Sequence, residues 1–543
     1  MPSTLIILFA VVPMLAGTIT LVFTGRRRLQ IAIGFATVAI NFALALWALM
    51  TVYRGPDREG QILVTQLGSW PAPFGISLVL DPLAAIMLFV TSIVVAAVFI
   101  YSAEQLKSYV HRGFFHPLFH LLVAGVHCSF LTADMFNLFV AFEIMLMASY
   151  VMLVIETTTK QMRQAYKYIL LNLMASLLFV SCAGFIYGQL GTLNLADLAR
   201  MNINGELPRE ITPVFALLLV VFGVKTAIFP LWFWLPDTYP TVDPAIGALF
   251  SGLLTKVGAY VMVRIFVMVG GGPMSPVTPF LEPIILISAG VTMFLGVLGA
   301  VSMQSIRRIL SIHIISQVGY MILGVGLGMA IDAATQNRQL AVAGAIFFII
   351  HNMVVKSSLF LCGGLMSAHA GSDELAKIGG LARRAPWLAA LFLIAALSLA
   401  GLPPLSGFFG KWILIRETFA TGRPAYAAVA IATSLLTLLS MLKIWSYGFW
   451  SPPQGMHVSH PAVRPRVTLG MVGISILVAA ALSMGLGAQT YFNISMVAAK
   501  SLVDPTPYIH AVMPDVELWH GRPAPAPVAE HGLSARATGG DEP

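Results

Sequence analysis

Six ionisable residues stand inside long apolar runs. They are Glu143 in "NLFVAFEIMLMASY", Lys225 in "FGVKTAIFPLWFWLP", Lys256 in "GLLTKVGAY", His351 and Lys356 in "FFIIHNMVVKSSLFL", and Lys411 in "GFFGKWIL". A charge at the centre of a bilayer costs about 2.5–3.5 kcal/mol on insertion scales, which makes each residue a candidate for handling ions or protons. The chemistry open to these types is proton exchange. Burial and a nearby carboxylate act in opposite directions on a lysine's charge. If Glu143 and Lys225 face each other, the ammonium keeps its proton while paired and releases it when parted, a switch made by geometry. Lys256, His351 and Lys356 could then relay protons laterally, His351 being the residue whose ordinary titration range suits neutral pH. Five residues subtend about 140° on an ideal helix, so His351 and Lys356 reach one path only if their helix bulges. The plain alternative for each lysine is a snorkelling side chain or a cap on a neighbouring helix, and it weighs most on Lys411, nearest a helix end. For His351 the plain alternative is a satisfied polar core residue.

Prolines frame two of the lysines. Pro230 and Pro236 follow Lys225, and Pro403 and Pro404, with Gly407 and Gly410, precede Lys411. A proline removes one helical hydrogen bond and frees the carbonyl four residues back. Freed groups at membrane depth need partners from protein or water, so the sequence predicts a hydrated, titratable pocket at each break.

The elements that must position these residues are read from composition. Of 543 residues, 58% are hydrophobic and only 10% charged, with a mean hydropathy of +0.86; soluble domains carry about 25% charged residues. Apolar stretches long enough to span hydrocarbon recur along the chain, and they predict an all-α polytopic membrane protein of about 14 transmembrane helices with no soluble domain between them. The first stretch, Ser3 to Thr24, has no basic residue before it and is followed by Arg26, Arg27 and Arg28. That order predicts a retained span with the N-terminus outside. Lys107 and Arg112, then Lys160, Arg163 and Lys167, then Arg307 and Arg308, then Lys377, Arg383 and Arg384, then Arg464 and Arg466 fall in the loops that this topology puts inside. The net charge of +8 therefore reports orientation, not a nucleic-acid partner. An even span count returns the C-terminus to the outer side, where a Pro- and Ala-rich tail is expected to be largely disordered.

Two segments share a pattern. "FPLWFWLP" ends the seventh span and "LPPLSGFFGKW" lies in the twelfth, while "SGLLTKVGAYVMVR" downstream of the first resembles "TSLLTLLSMLKIWS" downstream of the second. Five-span units run in opposite senses, so spans 4–8 and 9–13 are expected to form an inverted repeat with one broken helix in each half. The expected organisation is residues 1–110 as three N-terminal spans, 111–270 and 271–450 as the two repeats, 451–489 as the last span, and 490–543 as the tail.

Other features carry less. Cys128, Cys182 and Cys362 fall in apolar runs without metal spacing and are read as buried thiols. Among His116, His120 and His127, the i and i+4 pair shares a helix face but no third ligand has fitting spacing, so no metal site is expected; Asp134 is read as a helix cap, and Lys443 and Arg264 as interfacial. No nucleotide loop or cofactor pattern is present.

"FNLFVAFEIMLMASYVMLV", "KTAIFPLWFWLPDTYP" and "ALFSGLLTKVGAYVMVR" closely resemble the D-subunit family of Mrp-type multisubunit sodium/proton antiporters, itself similar to the antiporter-like subunits of respiratory complex I. The resemblance covers most of residues 75 to 450. It implies a 14-span fold with a line of buried charges at mid-membrane, the family's positions falling on Glu143, Lys225, Lys256, His351, Lys356 and Lys411. It also implies a multi-pass subunit of the plasma membrane, a transporter rather than an enzyme, working with protons and Na+ and with companions resembling subunits A, B, C, E, F and G, and needing no cofactor. A proton-pumping subunit of complex I or of a membrane-bound hydrogenase is the competing reading. Against it, the middle-sized complex I subunit has a glutamate where this chain has Lys411, and only about 50 mostly non-helical residues are expected after Gly487, where the largest such subunit has a long lateral helix.

Overall fold

The computed structural model describes residues 3–54, 60–106, 114–452 and 468–514. Arg58, Lys107, Arg112, Arg464 and Arg466, and the tail beyond residue 514, lie outside the described residues. The helices are α1 (Leu8–Val22), α2 (Arg27–Tyr53), α3 (Pro82–Gln105), α4 (Phe115–Leu131), α5 (Met135–Leu153), α6 (Thr159–Leu190), the short α7 (Leu195–Ile203), α8 (Thr212–Thr226), α9 (Pro244–Val269) and α10 (Thr278–Ser302). They continue with α11 (Ile306–Met329), α12 (Thr335–Ala370), α13 (Pro386–Ala400), α14 (Ser406–Ala420), α15 (Pro424–Trp450), α16 (Leu469–Leu486), α17 (Ala488–Val503) and α18 (Thr506–Val512). Among the described residues, 11 helices are long and apolar enough to cross a membrane. The protein is a helical, polytopic membrane protein.

Local chemistry sets where the helices start. Asp81, Asp134, Thr158 and Asp243 each accept a backbone N–H from the first turn of the helix that follows, which answers the orphan donors there. Asp134 is thus the cap expected, its carboxylate 2.7 Å from the Asn137 amide. α9, α11 and α12 are buried along their whole apolar length, whereas α2, α6 and α15 keep much of theirs on the outside. On α6 the exposed set Leu170, Leu173, Met174 and Leu177 recurs at helical spacing, an apolar stripe suited to lipid or a partner helix.

Three features differ from expectation. Strands β1 (Leu63–Gln66) and β2 (Ser77–Leu80) form an antiparallel hairpin in register Leu63 to Leu80. It binds the α4–α5 turn through the Ala133 amide and Ser77 carbonyl. We call this side of the molecule the hairpin face. The second difference is the C-terminal segment, expected to be mostly non-helical after Gly487: α17 and α18 fold back over the hairpin face, Tyr53 donating to the Ile494 carbonyl and Gln66 to that of Val512. The third is Arg264, expected at the interface but only 4% exposed and paired with Asp81. Lys443, also expected there, donates to the carbonyls of Val301 and Met303 at the end of α10.

Candidate functional site

The central helices carry the ionisable residues. Lys225 lies at the end of α8, where the backbone turns left-handed at Ala227 (φ 65°) and the helix stops. The Val224 carbonyl accepts the Ala227 N–H at 3.3 Å and the Trp234 indole N–H at 3.1 Å, so protein donors answer this end of the helix. Gly258 lets this end close on α9, since a Cβ there would stand 2.6 Å from Thr226 Oγ1. Lys225 Nζ donates to Ser176 of α6 at 3.2 Å and stands 4.8 Å from the centre of the Phe142 ring. Glu143 is within electrostatic reach of Lys225, but the lysine's hydrogen bond goes to Ser176. Glu143 Oε1 is buried with no hydrogen-bond partner among the described residues, and its helix borders an apolar groove of about 530 Å³ lined by Met14, Leu118, Leu121 and Met147.

Lys256 sits in α9 beside a π-helical turn, Phe250–Leu254, and its Nζ donates to the Ser251 carbonyl at 2.6 Å and to Thr255 Oγ1 at 3.2 Å. α12, which would have to bulge for His351 and Lys356 to reach one path, is a continuous α-helix, and the π-turn lies in α9 instead. His351 and Lys356 accordingly look to different neighbours, as their separation of about 140° requires. His351 Nδ1 is 2.8 Å from Ser406 Oγ at the start of α14, and Lys356 Nζ donates to the Leu310 carbonyl of α11 at 3.3 Å. Charge on any of Lys256, Lys356 and Lys411 acts on His351.

The second break, between α13 and α14, is held by its own lysine. Lys411 Nζ donates to the carbonyls of Leu399 and Ala400, both at 3.0 Å, and lies 5.0 Å from the centre of the Tyr320 ring. Ser406 bonds Ser398 Oγ at 3.0 Å, joining the break to His351. Gly407 is obligatory there, because a Cβ would collide with the Ser398 carbonyl.

Among the buried titratable residues outside the expected set, one stands close to the lysines. His313 of α11 is fully buried, its Nε2 2.9 Å from Ser440 Oγ of α15, and the charges of Lys356 and Lys411 reach it. The signal was the same as for the others, a lone ionisable residue in the apolar run "LSIHIISQVGYMIL", but it stands only two turns from Arg307 and Arg308. His116, His120 and His127 pack against Phe99 and Phe9, and among the described residues no group of metal-ligating side chains forms.

On the face opposite the hairpin, a polar cavity of about 580 Å³ is lined by Tyr101, Glu156, Lys160, Asp243, Arg307 and Asp373. From its rim the seam between α9 and α12 leads inward. The Ala248 carbonyl accepts from both Ser251 and Ser357, and Ser251 supplies the carbonyl held by Lys256. Chemically the whole is a set of ammonium and imidazole groups held by hydroxyls and carbonyls, with one carboxylate at its end.

Comparison with known proteins gives one family. Residues 132–437 match the family described as NADH:quinone oxidoreductase/Mrp antiporter, TM. The chain is 42% identical to the D subunit of the Na(+)/H(+) antiporter of Alkalihalophilus pseudofirmus, covering 94% of this chain and 99% of that one. It is 35% identical to the protein of the same name in Bacillus subtilis, again over 94% and 99%. A chain in the structure of the Mrp complex from Dietzia sp. DQ12-45-1b superposes with a TM-score of 0.84 at 31% identity, covering 94% of this chain and 99% of the other.

Proposed function

Because the chain belongs to the NADH:quinone oxidoreductase/Mrp antiporter transmembrane family, we propose that it is the proton-translocating subunit of a multisubunit Na+/proton antiporter. The observation that supports this reading is the set of buried basic residues, Lys225, Lys256, Lys356 and Lys411 with His351, held by hydroxyls and carbonyls of α6, α9, α11 and the second break, with the charges of Lys256, Lys356 and Lys411 all acting on His351; we read the set as a row. Glu143 and Lys225 form its switch at one end and Lys411 serves the other. The polar cavity opposite the hairpin face is the mouth through which protons and Lys256 communicate. Protons flow inward along the row and Na+ leaves elsewhere in the assembly. One charge crossing 100 mV is worth about 2.3 kcal/mol, enough to drive ion export.

The same reading counts 14 spans. It takes α8 with its continuation through Trp234, and α13 with α14, as the broken seventh and twelfth spans of an inverted repeat covering spans 4–8 and 9–13. The side of the polar cavity is inside, the hairpin face and both termini are outside, and the subunit lies in the plasma membrane with companions like subunits A, B, C, E, F and G. It is a transporter, with no bond-making chemistry of its own.

The test is antiport by the assembled complex in everted vesicles, read by dye dequenching on Na+ addition. E143Q and K225M are expected to lower the rate about a hundredfold or more, the scale of a lost proton-transfer group, with the subunit still in the membrane. Wild-type rates in both variants would overturn the reading.

A further inference from the structure

α9 carries Lys256, Tyr260 and Arg264 at spacings of four, so the three share one face that rises from the buried lysine toward the hairpin face. The distance from Lys256 to Arg264 is about 12 Å along the axis. Lys256 points the other way, to Ser251. The hydrogens beyond it are all oriented. Tyr260 donates its hydroxyl hydrogen to the Phe130 carbonyl at 2.6 Å and accepts from Arg264 Nε at 3.1 Å. The guanidinium then gives Nη2 to Asp81 at 2.5 Å and lies 5.2 and 5.4 Å from the centres of the Tyr260 and Tyr508 rings, the second belonging to α18.

We propose that Arg264, fixed by Asp81, is the barrier that keeps protons on Lys256 from reaching the hairpin face. The proposal rests on reading the row as a proton path. A hydroxyl chain conducts a proton only if each oxygen can accept one from behind and pass one forward. Arginine has five donors, no acceptor, and does not deprotonate in proteins. The Tyr260 oxygen is aimed at by the arginine instead of donating to it, so the wire stops there. The guanidinium faces the path and the carboxylate that balances it lies behind, so the neutral pair presents its positive end to an approaching proton, as arginines and helix dipoles do in pores that exclude cations. Asp81, the acceptor a proton could use, lies beyond the guanidinium, and its Oδ2 is buried without a hydrogen-bond partner among the described residues. A leak at this point would dissipate the gradient that the exchange consumes, so this pair makes the path one-sided.

The experiment reads passive proton leak, not antiport. The assembled complex in proteoliposomes loaded with a pH dye receives a pH step in the absence of Na+. Replacing both members of the pair, D81N/R264Q, avoids leaving one buried charge unpaired, and R264Q alone leaves Asp81 as an acceptor. Both are scored on complex that reaches the membrane intact. R264Q is expected to raise the leak about tenfold or more, the factor for removing a unit charge roughly 12 Å away at an effective dielectric of about 20, and D81N/R264Q to raise it measurably by removing the donor-only group that stops the hydroxyl chain. Adding K256M to D81N/R264Q is expected to return the leak to the wild-type level. Vesicles with D81N/R264Q as tight as wild type, or a leak that survives K256M, would overturn the proposal. Persistence of antiport in E143Q and K225M would instead strike the reading of the row, and the leak assay reads independently of it.

Discussion

At the scale of single residues, the hydrogen bonds of the four lysines go to neutral groups. Lys256, Lys356 and Lys411 are held by backbone carbonyls, and Lys225 by a serine. These candidates were legible because an ionisable residue in an apolar run is costly and therefore conspicuous. Their partners were not legible. Ser176, Ser251 and Ser406 are ordinary in sequence; the packing of α6 and α14 brings the first and last to Lys225 and His351, and the π-turn of α9 turns the Ser251 carbonyl to Lys256. Nor did local sequence reveal that Arg264 would be buried, since its partner Asp81 stands 183 positions away. Gly407 shows how tightly one position is determined. G407A would force a methyl against the Ser398 carbonyl and crowd His351 Nε2, 3.0 Å away. We expect destabilisation of about 1–3 kcal/mol, the usual cost of overpacking, seen as a lower thermal midpoint of the solubilised complex together with lost antiport.

At the scale of elements, the breaks and the π-turns decide what the lysines meet. Prolines announced both breaks, and the structure places left-handed residues, Ala227 and Gly401, where α8 and α13 end. What the prolines could not announce is who takes the freed carbonyls, because that depends on side chains arriving from later in the chain. Trp234 takes Val224 at the first break and Lys411 takes Leu399 and Ala400 at the second. W234F keeps an aromatic ring and removes the donor. The Val224 carbonyl keeps the Ala227 N–H, so the variant loses one buried hydrogen bond, worth about 0.5–1.5 kcal/mol, and is expected to melt slightly earlier than wild type and to lower antiport. An unchanged melting curve would show that another donor takes over. The π-turns flanking Lys256 had no signature in the sequence, since no proline or glycine pattern distinguishes a π-turn from an α-turn in "ALFSGLLTKVGAY".

At the scale of the whole molecule, composition was enough to give a helical membrane protein, while the hairpin face escaped it. β1 and β2 are four residues each, and α17 and α18 follow the last long apolar run, where hydropathy carries little signal. These pieces are stitched together across the chain: Tyr53 with Ile494, Gln66 with Val512, Tyr508 over Arg264. Ending the chain at Gly487 is therefore expected to lower the thermal midpoint of the solubilised complex by about 4 °C or more and to raise proton leak, measured as for D81N/R264Q. The second break has its own consequence for motion. An ammonium has three hydrogens, and Lys411 spends two on the end of α13, leaving one to trade. After that one departs, the neutral amine still carries both hydrogens that clasp the helix. In the proposed row, cargo is therefore exchanged here with the scaffold standing still, and no movement of this break is required.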